Sequence, residues 1–321
     1  MRGHGGYSFL VEEIAALEGA GMQKDICHAA FDLGSNTARG ILGRPGADGT
    51  VRVLAEDQRM TALGRGLGDA KAFDPAALDE TVRFVAETLE RWDGPAHAHA
   101  VATAAARSAS NRDELLTRLI DEAGVQAQVI DAHEEARLAW LGAFAADPPI
   151  TAARPALVDI GGRSVEAMTE EAGQLAAISR SLGARSFAES LPDSDLPWEL
   201  YVALHFPVLT VALRDAIETV SGADVVVVTG GTAQAAARLL GKRSLESSEI
   251  CDLLFDLGRL SQEELRARMS FDPDRAEIIC PGLGILHVFA TASPGRRIIV
   301  SDGGVREGLL LDRTGASRLE W

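Results

Sequence analysis

The chain has 321 residues, 46% of them apolar, and a formal net charge of -16. That length allows one large or two medium domains, and that charge disfavours nonspecific binding to nucleic acid or to an anionic membrane surface. Three cysteines without paired spacing (Cys27, Cys251 and Cys280, read as apolar fillers) argue against a disulfide framework or a zinc site and fit a reducing cytoplasm; no apolar run reaches the ~20 residues of a membrane span.

Residues 1–22 read as an extension. Met22 is an alternative start, Ser8–Glu18 fits an amphipathic helix, and Glu12 and Glu13 argue against a signal peptide. An apolar run, His28–Phe31, predicts the first strand, and a turn and a return strand follow. Thr50–Glu56 alternates as a strand and leads into a glycine-rich loop, Leu63–Gly68. Pro75–Trp92 has helical periodicity. His97–Ala102 is a strand, Asn111–Ala123 a helix with Asn111 as its N-cap, Gln126–Ile130 a strand and His133–Ala145 a helix. A second pass begins at Pro155 with strands at Ala156–Asp159, Val165–Met168 and Leu175–Ser181. One long helix is predicted over Trp198–Val220, then a buried strand at Asp224–Val228. Helices follow at Gln234–Leu240, Leu245–Leu257 and Arg275–Ala290, then a strand at Ile298–Val300 and a closing helix at Val305–Leu311. The second half repeats the first in outline, which predicts mixed α/β layers in two related lobes.

Two short segments stand out within that repeat. Asp32-Leu-Gly34-Ser35-Asn36-Thr37-Ala-Arg39 and Asp159-Ile-Gly161-Gly162-Arg163-Ser164-Val165-Glu166 each join two strands. Turns of this kind expose backbone N–H groups to an anion, and their glycines permit close approach and positive φ. An aspartate just before such a turn suits a hard divalent cation, held directly or through water. Two turns facing each other would frame a phosphate-binding cleft.

Seven segments, in order, resemble the exopolyphosphatase and guanosine pentaphosphate phosphohydrolase (Ppx/GppA) family over about residues 29–312. They are Asp32–Arg39, Ala102–Arg107 with Asn111, Glu134–Leu138, Asp159–Glu166, Ser181–Ala184, Gly230–Thr232 and Ser301–Gly308. The resemblance implies two actin-like (ribonuclease H-like) α/β domains with mixed sheets and a cleft between them, in the short two-domain form. The expected division is 1–22 as extension, 23–130 as domain I and 131–302 as domain II. The closing helix, about 303–321, would pack on domain I, with hinges near 125–150 and 290–310.

The resemblance also implies the chemistry, Mg2+-dependent release of terminal phosphate from inorganic polyphosphate or guanosine pentaphosphate, and is compatible with a homodimer; the composition argues for the cytoplasm and against a nucleic acid or membrane partner. Glu135 is the implied general base, with Glu134 and Arg137 as structural partners. Gly34, Ser35, Asn36, Thr37, Arg39, Thr103, Arg107, Gly161, Gly162, Arg163 and Ser164 would hold phosphate, and Asp159, Asp32 and Glu166 the metal. Asp302 with Arg306 and Glu307 would anchor the closing helix. The family's second turn usually has a third glycine and a Thr or Ser where this chain has Arg163 and Val165. If that position needs positive φ, an arginine there costs ~1–2 kcal/mol. This departure raises the alternative of a sensor that binds (p)ppGpp or polyphosphate without hydrolysing it. A kinase of the same superfamily is a third reading, disfavoured by the Glu-Glu-Ala-Arg-Leu segment.

Overall fold

The computed structural model describes residues 26–46, 49–67, 71–146, 154–171, 174–193, 195–292 and 295–316. The expected extension 1–22 with its Met22 start, and the end of the expected segment 303–321, lie outside the described residues. A hairpin starts each of two sheets. In the first, β1 (His28–Leu33) and β2 (Ala38–Pro45) pair antiparallel across the four-residue turn, and β3 (Val51–Arg59) adds to β2. A crossover through α1 (Pro75–Arg91) returns β4 (His97–Ala102) parallel to β1, and β5 (Ala127–Val129) follows at the edge. The second sheet uses β6 (Pro155–Ile160), β7 (Val165–Glu171), β8 (Gln174–Arg180), β9 (Val225–Thr229), β10 (Ser244–Leu245) and β11 (Arg297–Val300). Its order, β10-β11-β9-β6-β7-β8, repeats the β3-β2-β1-β4-β5 order of the first with one added edge strand. These are the two mixed sheets of the actin-like fold.

Helix α1 starts where the chemistry predicts. Asp74 accepts from the Ala76 and Ala77 N–H groups at 2.9 and 3.2 Å, and Pro75 needs no partner for a missing N–H. After β4 come a short α2 (Ala104–Ser108) and α3 (Arg112–Ala123). Asn111 stands at the N-cap of α3 but does not cap it: its Oδ1 accepts from the Phe73 N–H at 2.7 Å. The side chain ties down the loop before α1, and the predicted cap is corrected accordingly. Helix α4 (Ala132–Ala146) carries the Glu-Glu-Ala-Arg segment.

The predicted long helix over Trp198–Val220 is three helices: α6 (Trp198–His205), α7 (Pro207–Ala212) and α8 (Arg214–Val220), which follow α5 (Ala184–Ser190). Pro207 has no N–H to donate to the preceding turn, so the α-helical ladder cannot run through it. A further 64° bend separates α7 from α8. After β9 come α9 (Gly231–Leu240), α10 (Ser247–Gly258) and α11 (Gln262–Arg268). The helix expected from Arg275 begins later. Pro273–Glu277 forms a 3-10 turn, and α12 covers Ile279–Thr291. Among the described residues no single helix is long and apolar enough to cross a membrane, although the bent set α6–α8 passes by length and composition.

Each sheet has its own apolar core, and a third lies between them. Ala30, Ile41 and Val101 from the first sheet and Leu157, Met168 and Val227 from the second close on α4 and on α13 (Val305–Thr314). The two helices cross with backbones in contact. A Cβ on Gly142 would lie 1.9 Å from the Gly304 carbonyl oxygen, and one on Gly308 would lie 1.9 Å from that of Leu138. Arg137 binds Glu134 through two 2.8 Å bonds and reaches Asp312 on α13, so it is a structural partner here. The start of α13 is held by Glu307, which accepts from the Gly304 N–H at 2.8 Å.

Candidate active site

The turns Gly34–Thr37 and Gly161–Ser164 face each other across a cleft of about 80 Å³. Both follow the C-terminal ends of central strands, where ligands of α/β sheets bind. Positive φ is not what their glycines provide: Gly34, Gly161 and Gly162 all avoid it. They provide room. A Cβ on Gly34 would lie 2.9 Å from the Thr37 carbonyl oxygen, and one on Gly161 would lie 3.1 Å from that of Ser164. Positive φ occurs instead at Gly230 (92°), where a Cβ would strike the Ile160 carbonyl oxygen at 2.3 Å.

The turn carbonyls are tied back. Ser35 accepts from the Gly64 N–H at 2.7 Å, Asn36 from the Ala62 N–H at 3.0 Å and Gly162 from the Arg185 N–H at 2.7 Å. Among the described residues the N–H groups of Ser35, Asn36, Gly162 and Arg163 find no backbone acceptor. Four donors beside a cleft make an anion-binding nest. Gly183 packs directly on the second turn, since a Cβ there would lie 2.5 Å from the Arg163 nitrogen. That packing is the physical content of the Ser181–Ala184 segment.

The charged groups divide by strand. Asp32 pairs in register with Arg39, and Asp159 with Glu166. Burial raises Asp32 to about 6 against the opposing pull of Arg39, and its Oδ1 is buried without a partner. Burial brings Arg39 down to about 10, helped by the like charges of Arg275 and Arg306. Burial also raises Asp159, while a 2.8 Å bond from the Thr229 hydroxyl works the other way. Glu166 is 1% exposed and is pushed up to about 7 by burial and by Asp159; the Ser179 hydroxyl donates to it at 2.8 Å.

Glu135 projects from the first turn of α4 into the cleft and is itself buried. Burial, then the charge of Glu166, raises its carboxyl well above the usual range. Arg107 opposes that shift by donating to Glu135 at 2.6 Å and to the Ile130 carbonyl at 3.0 Å. A buried carboxylate raised toward neutrality and oriented by an arginine has the properties of a general base.

Thirteen expected site residues therefore line one cleft, and Arg107 and Glu166 stand behind its wall. Arg107 is engaged with Glu135 rather than free for phosphate. Nor do Asp32, Asp159 and Glu166 form a closed cage: among the described residues no three acidic, histidine or cysteine side chains converge on one point. The chemistry nevertheless fits a hard cation. Mg2+ is held by one or two carboxylates plus water and substrate oxygens, and the unpartnered Asp32 Oδ1 offers such a ligand opposite Asp159.

Arg163 has ordinary negative φ, so no strain attends the missing glycine. Its guanidinium pairs with Glu189 at 2.9 Å and packs over Gly64, where a Cβ would meet its Nε at 2.7 Å. Val165 is buried in the core of the second sheet. The sequence reading missed Arg275 and Arg185. Arg275 lines the cleft over Gly231, where a Cβ would collide with it at 2.3 Å, and Arg185 donates to Asn36 Oδ1 across the cleft. The Gly230-Gly231 pair was the available signal for Arg275, since paired glycines mark close approach. Cys27 and Cys251 are only half-buried, against the expectation of buried fillers; Cys280 alone is buried.

The family model described as the Ppx/GppA phosphatase family matches residues 45–316. The crystal structure of the Aquifex aeolicus member of the Ppx/GppA family is similar with a TM-score of 0.73 and 26% identity, over 90% of this chain and 97% of that one. A type II variant of the same Aquifex aeolicus phosphatase gives 0.69 and 25%, over 89% and 99%. An exopolyphosphatase from Cytophaga hutchinsonii has a TM-score of 0.78 at 20% identity, over 92% and 100%, a likeness of fold.

Proposed function

The chain belongs to the Ppx/GppA phosphatase family, and from that membership and the cleft we propose that it hydrolyses the terminal phosphoanhydride bond of inorganic polyphosphate, with guanosine pentaphosphate as the alternative substrate. The observation that carries this reading is Glu135, a buried carboxylate of raised pKa, held by Arg107 beside two turns with free N–H donors. Water lies in line with the terminal bond, and its proton passes to Glu135 as oxygen attacks phosphorus. The bond to the bridging oxygen breaks, and the shortened chain leaves with the electron pair. The two turns, Thr103 and Arg39 orient the terminal phosphate and stabilise the charge on its equatorial oxygens.

Asp32 and Asp159 would hold Mg2+, which when bound would neutralise charge on the phosphate oxygens. Arg163, unstrained and paired with Glu189, is a tolerated variation in this account. The division into lobes is part of the proposal: 23–130 with the closing helix forms one, 131–302 the other, and their relative motion admits substrate.

The test is phosphate release from long-chain polyphosphate with Mg2+ by wild type and Glu135→Gln. Release that the variant abolishes supports the hydrolase. Binding without release from folded wild type would replace it with the sensor, and Arg163→Gly would then show whether that one residue silences the site.

A further inference from the structure

We propose that a cavity of about 640 Å³ beside α5 binds an uncharged, planar ring compound with a carbonyl acceptor, and that its occupancy is felt at the second glycine turn. The cavity shares no lining residue with the cleft. Its walls come from α5, the segment 191–197, the start of α6, the junction of α10 with α11, the 3-10 turn and α12. Small-molecule sites have volumes of roughly 300–1,000 Å³ and a mostly apolar lining with a few polar groups, and this cavity has both. Leu191, Leu196, Leu265 and Pro281 line it together with two stacked rings, Trp198 and Tyr201, whose centres lie 5.6 Å apart. Gly258 leaves the indole its place: a Cβ there would lie 1.9 Å from Trp198 Cε2. The Tyr201 hydroxyl is spent on the Pro192 carbonyl, to which it donates at 2.9 Å. The Trp198 N–H is buried and has no acceptor among the described residues. A donor taken from water without a partner costs free energy, and a carbonyl oxygen carried in on a ring supplies that partner. The charges beside the cavity are already matched. Arg259 pairs with Glu199 at 2.6 Å, and Glu277 lies 3.5 Å from Arg185 and 3.7 Å from Arg266. Asp193 adds a negative charge, so an anion such as polyphosphate is repelled and an uncharged ligand is not.

One wall of the cavity also supports the second turn. Ala188 lines the cavity from α5, and the first N–H groups of that helix hold the turn. Ala184 donates to the Gly161 carbonyl at 3.0 Å, and Arg185 and Ser186 donate to that of Gly162 at 2.7 and 3.0 Å. Glu277 lines the cavity from the 3-10 turn and is paired with Arg185, which donates to Asn36 across the cleft. A ligand packed against Ala188 and Glu277 restrains both contacts, and coupling of two sites through shared elements is reciprocal.

The experiment titrates coumarin, an uncharged ring lactone, into full-length wild type, Trp198→Phe and Leu196→Glu by calorimetry. Trp198→Phe keeps a ring and removes the N–H. Leu196 is 39% exposed, so its substitution leaves the core intact. Wild type should bind a single equivalent, and Kd should rise about tenfold in each variant. Polyphosphate titrated into Glu135→Gln should show a Kd lowered about fivefold by saturating coumarin, and polyphosphate should lower the coumarin Kd by the same factor. Absence of coumarin binding, or an equal Kd in wild type and both variants, overturns the site. A dimer in sedimentation that Leu196→Glu dissolves also overturns it, because a second copy would then fill the cavity. An unchanged polyphosphate Kd overturns the link to the turn. Calorimetry needs no turnover, so the hydrolase reading and the ligand site stand or fall separately.

Discussion

The two glycine turns have the same backbone topology and opposite chemistry. In the first hairpin the strand-ending Asp32 faces Arg39 across the ladder; in the second, Asp159 faces Glu166 at the equivalent register. One hairpin sets a buried acid opposite a cation, and the other stacks two carboxylates in the interior beside Glu135. Repetition of the fold therefore does not repeat the function. In the proposed mechanism the first hairpin supplies a cation to grip an anion, and the second adds its charge to the burial that raises a nearby glutamate.

Breaking this division at its centre gives the largest effect. Glu135→Gln should lower phosphate release about 10²–10⁴-fold while leaving polyphosphate affinity, measured by calorimetry, within about threefold. Removing the cation of the first hairpin comes next. Arg39→Met should lower kcat/KM about 10–100-fold, mostly through KM, in steady-state assays.

The buried acid of that hairpin gives a pH signature. Its folded pKa of about 6 lies above the ordinary value of 3.8. Its contribution to stability is complete below about pH 4 and is lost as pH rises through 6. Urea denaturation without divalent cations should thus show the balance between wild type and Asp32→Asn moving toward the variant by up to about 3 kcal/mol from pH 4 to pH 8. In the second hairpin, Glu166→Gln relieves the repulsion on Glu135. The acid limb of the pH–rate profile should then move to lower pH, because the base loses its proton more readily. The smallest change is expected from Arg163→Gly, with kcat/KM within about threefold, since the residue's backbone is unstrained and its charge is spent on Glu189.

What the sequence made legible was local. Asp32, Asp159 and the turn glycines announce themselves because strand, turn and return strand follow one another directly in the sequence. Glu135 came from resemblance, since two acids at a helix start have a sufficient helical explanation of their own. Arg185 and Asn36 meet across 149 positions, and no period or spacing encodes that contact. Arg275 sits in a 3-10 turn that apolar patterning merged into the following helix. The break at Pro207 is legible in the sequence: a residue without an N–H stands in the middle of a periodic run, and the missing donor outweighs the periodicity. Asn111 is a fair cap by residue type, and a tertiary partner claimed it.

The crossing of α4 and α13 at Gly142, Gly304 and Gly308 is a keyed joint, in which the two backbones meet with no side chain between them. Any methyl group introduced at Gly142 or Gly308 would strike a carbonyl oxygen across the joint, wedging the helices apart and misaligning the two turns from far outside the site they form.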